Sequence, residues 1–281
     1  MEAIRECQML IDGAWVGASD GGVFDSVSPI TGRIWARVPE ATGADVDRAV
    51  RAADRAFTSG PWAAMTPSAR GKCLRKLGDL LAERSEDLGR AETIDTGKML
   101  KETRWQAKYI AEFFHFYAGA ADKLSGEVLP IDKPDLFVFT NREPLGVVAA
   151  VVPWNSQLFL VAVKIGPALA AGNTVVLKAS EHASVAMLDF GRLIEEAGFP
   201  PGVVNIVTGH TEVGRALTSH PLVARISFTG GPNAARAILR NSAENFARVS
   251  LELGGKSPFV VFEDADLESA VNGSVAGIFG A

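Results

Sequence analysis

Residues 146–178 read GVVAAVVPWNSQLFLVAVKIGPALAAGNTVVLK, and this stretch decides the fold. Val147–Val152 and Thr174–Leu177 are short apolar runs of strand length, and Leu158–Ala171 between them has a helical pattern. Further candidate strands follow at Val203–Val207, Arg225–Phe228 and Phe259–Phe262. Helical patterns at Ser184–Ala197, Glu212–Ser219 and Ala234–Asn241 lie between most of them. Near-continuous Val/Ile strands alternating with short helices indicate an α/β fold, with a parallel sheet covered by helices on both faces. Ligands of such sheets bind outside the carboxyl ends of the strands.

Upstream, the chain is helix-rich. After a Gly-punctuated opening (IDGAWVGASDGG, SPITGR), Asp45–Phe57 carries Val46, Ala49, Val50, Ala53 and Phe57 at helical spacing. A second helix starts near Thr66–Pro67, an N-cap followed by proline, with a stripe of Leu74, Leu77, Leu80, Leu81 and Leu88. A third spans about Lys101–Ala121. Its aromatics, Trp105, Tyr109, Phe113, Phe114, Phe116 and Tyr117, read as core packing. Between Asp122 and Glu143 the texture changes, and alternating apolar residues around Pro130, Asp132 and Pro134 suggest a two-stranded hairpin outside the helices. The final segment, Asp266–Ala281, reads as a helix in progress.

Composition bounds the function. The 281 residues are 47% hydrophobic and 22% charged, which excludes disorder and low-complexity fibres. Lys plus Arg number 28 against 33 Asp plus Glu, a net charge of -5 that argues against nucleic acid as a partner. The longest apolar runs, Leu145–Pro153 and Leu158–Gly172, are broken by Pro153 and Lys164 and fall short of a membrane span. No export signal precedes them, and two cysteines, Cys7 and Cys73, fit a reducing cytoplasm. The expected setting is cytoplasmic.

Four segments carry polar chemistry at strand ends. Pro153-Trp154-Asn155 ends the first strand, where an Asn amide either aims at a developing oxyanion or is buried and satisfied by backbone. Lys178-Ala-Ser180-Glu181 ends the second; its charges either hold ribose hydroxyls or form a solvated loop. Phe228-Thr229-Gly230-Gly231 ends the fourth and opens a helix, which suits a pyrophosphate or a plain turn equally well. Glu252-Leu253-Gly254-Gly255 offers a carboxylate beside a flexible turn, either a general base or an arginine partner. The GGKS tail there is not a phosphate loop, because Ser250 stands where that motif needs glycine. The four histidines, His115, His182, His210 and His220, show no metal-ligand spacing, so no metal site is expected.

In order and spacing, PWN, K-x-x-E, GFPPGVVNIVTG, FTGG and ELGGKSP resemble the NAD(P)-dependent aldehyde dehydrogenase superfamily, from IDGAWV to DADLESAV. The resemblance implies a Rossmann-like sheet formed by 1–121 and 144–281 as an NAD-binding domain, with 122–143 as a hairpin bridging subunits of a homodimer or homotetramer. It implies that Asn155 is the oxyanion-hole amide and that Lys178 and Glu181 hold the adenosine ribose, with Ser180 beside them. Gly230 and Gly231 would approach the pyrophosphate, flanked by Phe228 and Thr229, and Glu252 would be the general base. Val152, Pro153, Trp154, Gly209, Gly214, Leu253 and Gly254 complete the implied cofactor site. The cofactor implied is NAD, with NADP as the alternative, and the substrate a small-molecule aldehyde oxidised to an acid. Three positions depart from the family pattern: Ala179 where proline is usual, Gly231 where serine is common, and Ala235 where glycine is usual. The nucleophilic cysteine would fall a little beyond Ala281, and neither Cys7 nor Cys73 has a matching context. The chain therefore reads as the front portion of an enzyme whose catalytic domain is missing. The alternative is an inactive NAD-binding or oligomerising fragment.

Overall fold

The computed structural model describes residues 3–279. Short strands open the chain: β1 (Arg5–Glu6), β2 (Met9–Ile11), β3 (Ala14–Val16), β4 (Val23–Val27) and β5 (Ile34–Pro39). Helices α1 (Gly43–Thr58), α2 (Pro61–Ala64), α3 (Pro67–Glu83), α4 (Ser85–Thr96) and α5 (Leu100–Ala120) follow. A two-stranded hairpin, β6 (Val128–Leu129) and β7 (Val138–Phe139), interrupts before the alternating region. That region runs β8 (Val147–Val151), α6 (Gln157–Ala170), β9 (Thr174–Lys178), α7 (Val185–Glu196), β10 (Val204–Val207) and α8 (Thr211–Thr218). It ends with β11 (Val223–Gly230), α9 (Pro232–Asn245), β12 (Arg248–Leu253) and α10 (Leu267–Phe279).

The main sheet has seven strands in the order β12-β11-β8-β9-β10-β2-β3. The five from β12 to β10 are parallel, and β2 and β3 extend the sheet antiparallel at the β10 edge. Side chains alternate between two cores, as strand geometry requires. Val148, Ala150, Val175 and Leu177 enter the core shared with α3–α7, whereas Val147, Ala149, Val151 and Val176 enter the core shared with α1, α8 and α9. Both faces are covered, so the apolar runs of β8 and β9 are buried at every residue. The chain first winds outward from β8 through β9 to β10, then returns to lay β11 on the other side of β8. Strand order reverses between β8 and β11.

Local chemistry sets the helix starts. Thr42 and Asp45 form a reciprocal capping box, so α1 begins two residues before the expected Asp45. Thr66 caps α3, with Pro67 following. The leucine stripe of this region is shared by two helices, because α3 stops at Arg84 and Leu88 belongs to α4.

Two expectations are corrected. The fifth parallel strand is Arg248–Leu253, not Phe259–Phe262; the latter run is irregular and exposed, with Phe262 at 73%. An edge strand is only half-buried, so RVSLEL carries polar residues that an all-apolar template passes over. The aromatic stripe of α5 is not uniformly core: Phe114 is fully buried, but Trp105, Tyr109 and Phe116 are exposed. Only one side of α5 meets the helices beneath it. Trp105 and Tyr109 stack on each other instead, with ring centroids 5.0 Å apart. The hairpin is largely exposed, with Val128, Leu129 and Phe139 of its strands and the adjoining Phe137 open to solvent and Val138 half-buried. Ala281 and Gly280 of the expected last helix lie outside the described residues.

Close helix packing depends on glycine at one point in particular. A Cβ at Gly89 of α4 would sit 2.7 Å from Arg104 Cα and 2.8 Å from Arg104 N on α5. Backbone cannot yield as a side chain tip can, so Gly89→Ala should cost about 1–3 kcal/mol by forcing the helices apart. Gly119→Ala, with no atom within 4 Å of the new Cβ, is the matched control on α5. Urea denaturation of both variants checks this, and equal midpoints would contradict the packing account.

Candidate active site

A cleft of about 880 Å³ opens at the carboxyl ends of β8, β9, β11 and β12, where the strand order reverses. This is the crevice in which doubly wound sheets bind ligands, and the volume lies in the range of cofactor sites. The connections leaving β8 and β11 run to opposite faces, so nothing fills the gap between them.

Each expected segment contributes a wall. From the end of β8 come Val152, Pro153, Trp154 and Asn155. Asn155 is exposed on the cleft surface, which removes the alternative of a buried, backbone-satisfied amide. From β9 come Lys178, Ser180 and Glu181. Lys178 is 6% exposed and its Nζ donates to Glu181 Oε2 at 3.0 Å, so this is no solvated loop. Burial pushes the Glu181 carboxyl upward, but the charge and hydrogen bond of Lys178 and the residue's own backbone N–H outweigh it, and the net direction is down. Glu181 is therefore a fixed anion at the rim. Ala179, where proline is usual in the resembling family, donates its N–H to Val207 O at 3.2 Å; this ladder bond fixes a turn that proline would fix by its ring.

The far wall is built by β11 and the helices beside it. Phe228, Thr229, Gly230 and Gly231 lead into α9, whose first turn has Pro232 and no side-chain cap. Its leading N–H groups are left for an anion at the cleft mouth. A Cβ at Gly231 would meet no atom within 4 Å, so the backbone there faces open space. Gly214 on α8 and Ala234, Ala237 and Ile238 on α9 line the same cleft. Thr229 Oγ1 is buried without a hydrogen-bond partner, an orphan at the cleft wall. These features suit a dinucleotide: an acid beside a lysine for a ribose diol, a helix mouth for the pyrophosphate and apolar side chains of α9 for the base.

Glu252, Leu253 and Gly254 close the cleft at the β12 edge. Glu252 is exposed, not buried, and among the described residues no ion pair holds it, so the arginine-partner alternative falls away. Gly209 is the one expected site residue that does not line the cleft. It is buried at φ +139°, where a Cβ would come within 2.5 Å of Val213 Cγ2, and it shapes the turn that delivers His210.

Several residues at the cleft lie outside the set expected from sequence. His210 lines the cleft, with Nδ1 2.6 Å from Glu40 Oε2 and its backbone N–H bonded to Glu40 Oε1 at 2.9 Å. Arg215 and Arg240 line it from α8 and α9. Behind Glu252 lies Lys164, 8% exposed in α6, whose Nζ donates to Ser227 Oγ at 3.2 Å. Burial pushes the Lys164 amine down to about 8, against the pull of the Glu252 charge. A lysine inside the apolar helix LFLVAVKIGPALA was the available signal for it.

A lysine held below its ordinary range favours the neutral form in the fold. Its contribution to stability is therefore complete only above the ordinary lysine value of 10.5 and is lost as pH falls through about 8. Lys164→Met lacks that dependence. The stability gap between variant and wild type should narrow by roughly 1 kcal/mol per pH unit as pH rises from 8 to 10. Urea titrations across that range check it, and a constant gap would contradict the buried-ammonium account.

Known proteins share this arrangement. The aldehyde dehydrogenase family model matches residues 15–281. The (Z)-2-((N-methylformamido)methylene)-5-hydroxybutyrolactone dehydrogenase of Acinetobacter baylyi is 56% identical over 280 residues, covering 99% of this chain and 57% of that protein. Glutarate-semialdehyde dehydrogenase of Pseudomonas aeruginosa is 40% identical, over 95% of this chain and 55% of its own length. The NAD+ complex of aldehyde dehydrogenase from Bacillus cereus superimposes with a TM-score of 0.95 at 42% identity, over 98% of this chain and 56% of that one. The chain spans a little over half the length of these relatives. With cleft, strand order and sequence in agreement over nearly all of its residues, the chain belongs to the aldehyde dehydrogenase family.

Proposed function

We propose that this chain binds NAD in the cleft at the β8/β11 reversal and contributes that site to an aldehyde dehydrogenase. The observation that carries the reading is the Lys178–Glu181 pair facing the uncapped mouth of α9 across the same cleft. The two charges bracket a ribose, and the helix mouth meets the phosphates. A carboxylate fixed where the adenosine ribose would lie favours NAD, since it repels the 2′-phosphate of NADP.

The reaction we assign is oxidation of an aldehyde to a carboxylic acid by way of a cysteine thiohemiacetal and thioester. The bound nicotinamide supplies the hydride acceptor, and the protein supplies position and electrostatics. Asn155 donates its amide N–H to the oxygen that gains negative charge when the carbonyl is attacked. Glu252, at the turn closing β12, takes a proton from the water that releases the acid. Exposure of Glu252 beside Gly254 and Gly255 leaves its carboxylate free to reach that water. Neither Cys7 nor Cys73 lines the cleft, so nucleotide binding without aldehyde oxidation is what we propose for these 281 residues on their own. The exposed hairpin β6–β7, with Phe137 and Phe139 outward, is assigned to contact with a second subunit.

Trp154 is half-exposed on the cleft wall and reports occupancy by fluorescence. NAD should quench it saturably, NADP should bind more weakly, and Lys178→Ala should weaken NAD about tenfold or more through loss of a charged hydrogen bond. Absence of saturable NAD binding would sink the reading. In an enzyme carrying the cysteine, Asn155→Ala should lower kcat by about 10²–10³ with NAD affinity little changed.

A further inference from the structure

The last turn of α4 carries two carboxylates into the interior. Glu92 is fully buried and Asp95 is 2% exposed. Asp95 Oδ2 accepts the backbone N–H groups of Val185 at 2.8 Å and Ala186 at 3.2 Å, together with the Gln157 amide at 3.3 Å. Its Oδ1 accepts the Ser26 hydroxyl at 3.1 Å. Val185 and Ala186 open α7, so this helix is capped by a residue 90 positions away. Glu92 faces the opening of α6. Burial pushes it up to about 7, opposed mainly by the charge of Lys98, and neither carboxylate oxygen has a hydrogen-bond partner among the described residues.

Local caps for both helices are present in the sequence but are used elsewhere. Ser184, at the N-cap of α7, makes no cap bond; its hydroxyl donates to Ser180 O at 2.7 Å and ties the ribose-side turn. Ser156, at the N-cap of α6, also makes none; its Oγ accepts Lys98 Nζ at 2.9 Å, and the same ammonium donates to Gln106. An N-cap serine ordinarily bonds its own helix. Here Ser184 is turned to the Lys178–Glu181 turn and Ser156 to Lys98, and one short stretch, Asp95 to Lys98, meets both helix starts. Each helix begins where a site turn ends, α6 after Pro153–Asn155 and α7 after Lys178–Glu181.

We propose that Asp95 and Lys98 are positioning residues of the cleft, holding the starts of α7 and α6 and through them the Lys178–Glu181 and Asn155 turns in a single arrangement. Neither lines the cleft, so neither touches a bound nucleotide. As a role in nucleotide binding, this rests on the reading of the cleft as an NAD site.

Amide hydrogen exchange and NAD titration of the protein and its variants test it together. In Asp95→Ala, exchange across residues 178–186 should rise about tenfold, the scale of a lost helix cap, with β8 and β10 unchanged and NAD bound about tenfold more weakly. Asp95→Asn, whose Oδ1 still accepts, should restore affinity to within about threefold. Lys98→Met should loosen residues 153–158 and leave 178–186 alone. Unchanged exchange at these turns, a uniform rise through the whole sheet, or no rescue by the Asn variant would overturn the proposal. If Asp95→Ala does not fold, Lys98→Met decides by the same criterion, being a change at a half-buried residue outside the apolar core. If the wild type binds no NAD, the nucleotide reading fails, while the exchange pattern still decides whether these residues position the turns.

Discussion

The whole arrangement depends on one topological constraint, the placement of β8 between β9 and β11. Parallel strands need long crossovers, and crossovers of one hand place the helices on opposite faces when the chain winds first one way and then the other. Between β8 and β11 the two outgoing connections therefore part, and the crevice they leave cannot be filled by either. Asn155, Lys178, Glu181, Thr229 and Glu252 all sit at the carboxyl end of a strand bordering that crevice or in the turn just beyond. The apolar character of β8 and β9 is a consequence of the same constraint, since both of their faces are roofed by helices.

Two lysines illustrate how differently the fold treats buried charge. Lys178 is nearly inaccessible but meets Glu181 at hydrogen-bonding distance, so the pair is formed before any ligand arrives. Such preformation means that side-chain freedom is already lost and need not be lost again on binding. Lys164 is buried to a similar degree, its hydrogen-bond partner among the described residues is a serine hydroxyl, and its ammonium is correspondingly disfavoured. The acids of α4 belong with Lys164 in this respect, for burial pushes Asp95 up to about 6 despite four hydrogen bonds. Charges kept in the interior at such cost are concentrated around the crevice and the helix starts that border it.

How much of this was legible in the sequence follows from the range of each interaction. β8 and β9 could be read because burial on both faces leaves a near-unbroken apolar run, β10 and β11 because Val, Ile and Phe still dominate runs of strand length, and α3 because Thr66 and Pro67 mark its start. β12 was missed since an edge strand keeps polar residues, and Phe259–Phe262 was taken for it because apolar runs resemble one another wherever they lie. The addition of β2 and β3 to the sheet had no local signal, being a pairing between residues far apart. Most of the site was readable, since Asn155, Lys178, Glu181 and Glu252 sit in short motifs at strand ends. Gly209 is expected in the cofactor site from its motif, but it lies behind the cleft lining at φ +139°, a position that motif reading does not reveal. The capping of α7 by Asp95 lay beyond reading, because nothing near Ser184 indicates that the serine bonds elsewhere.

The pairing of β2 with β10 also bears on how the chain reaches its fold. Leu10 lies opposite Ile206, so one of the earliest segments has no sheet to join until the third parallel strand exists. Closing so long a loop is slow relative to local helix formation. During synthesis β2 and β3 emerge before any of the parallel strands, and Met9, Leu10 and Ile11 stay uncovered until β10 is made. Their docking comes late and seals the β10 edge.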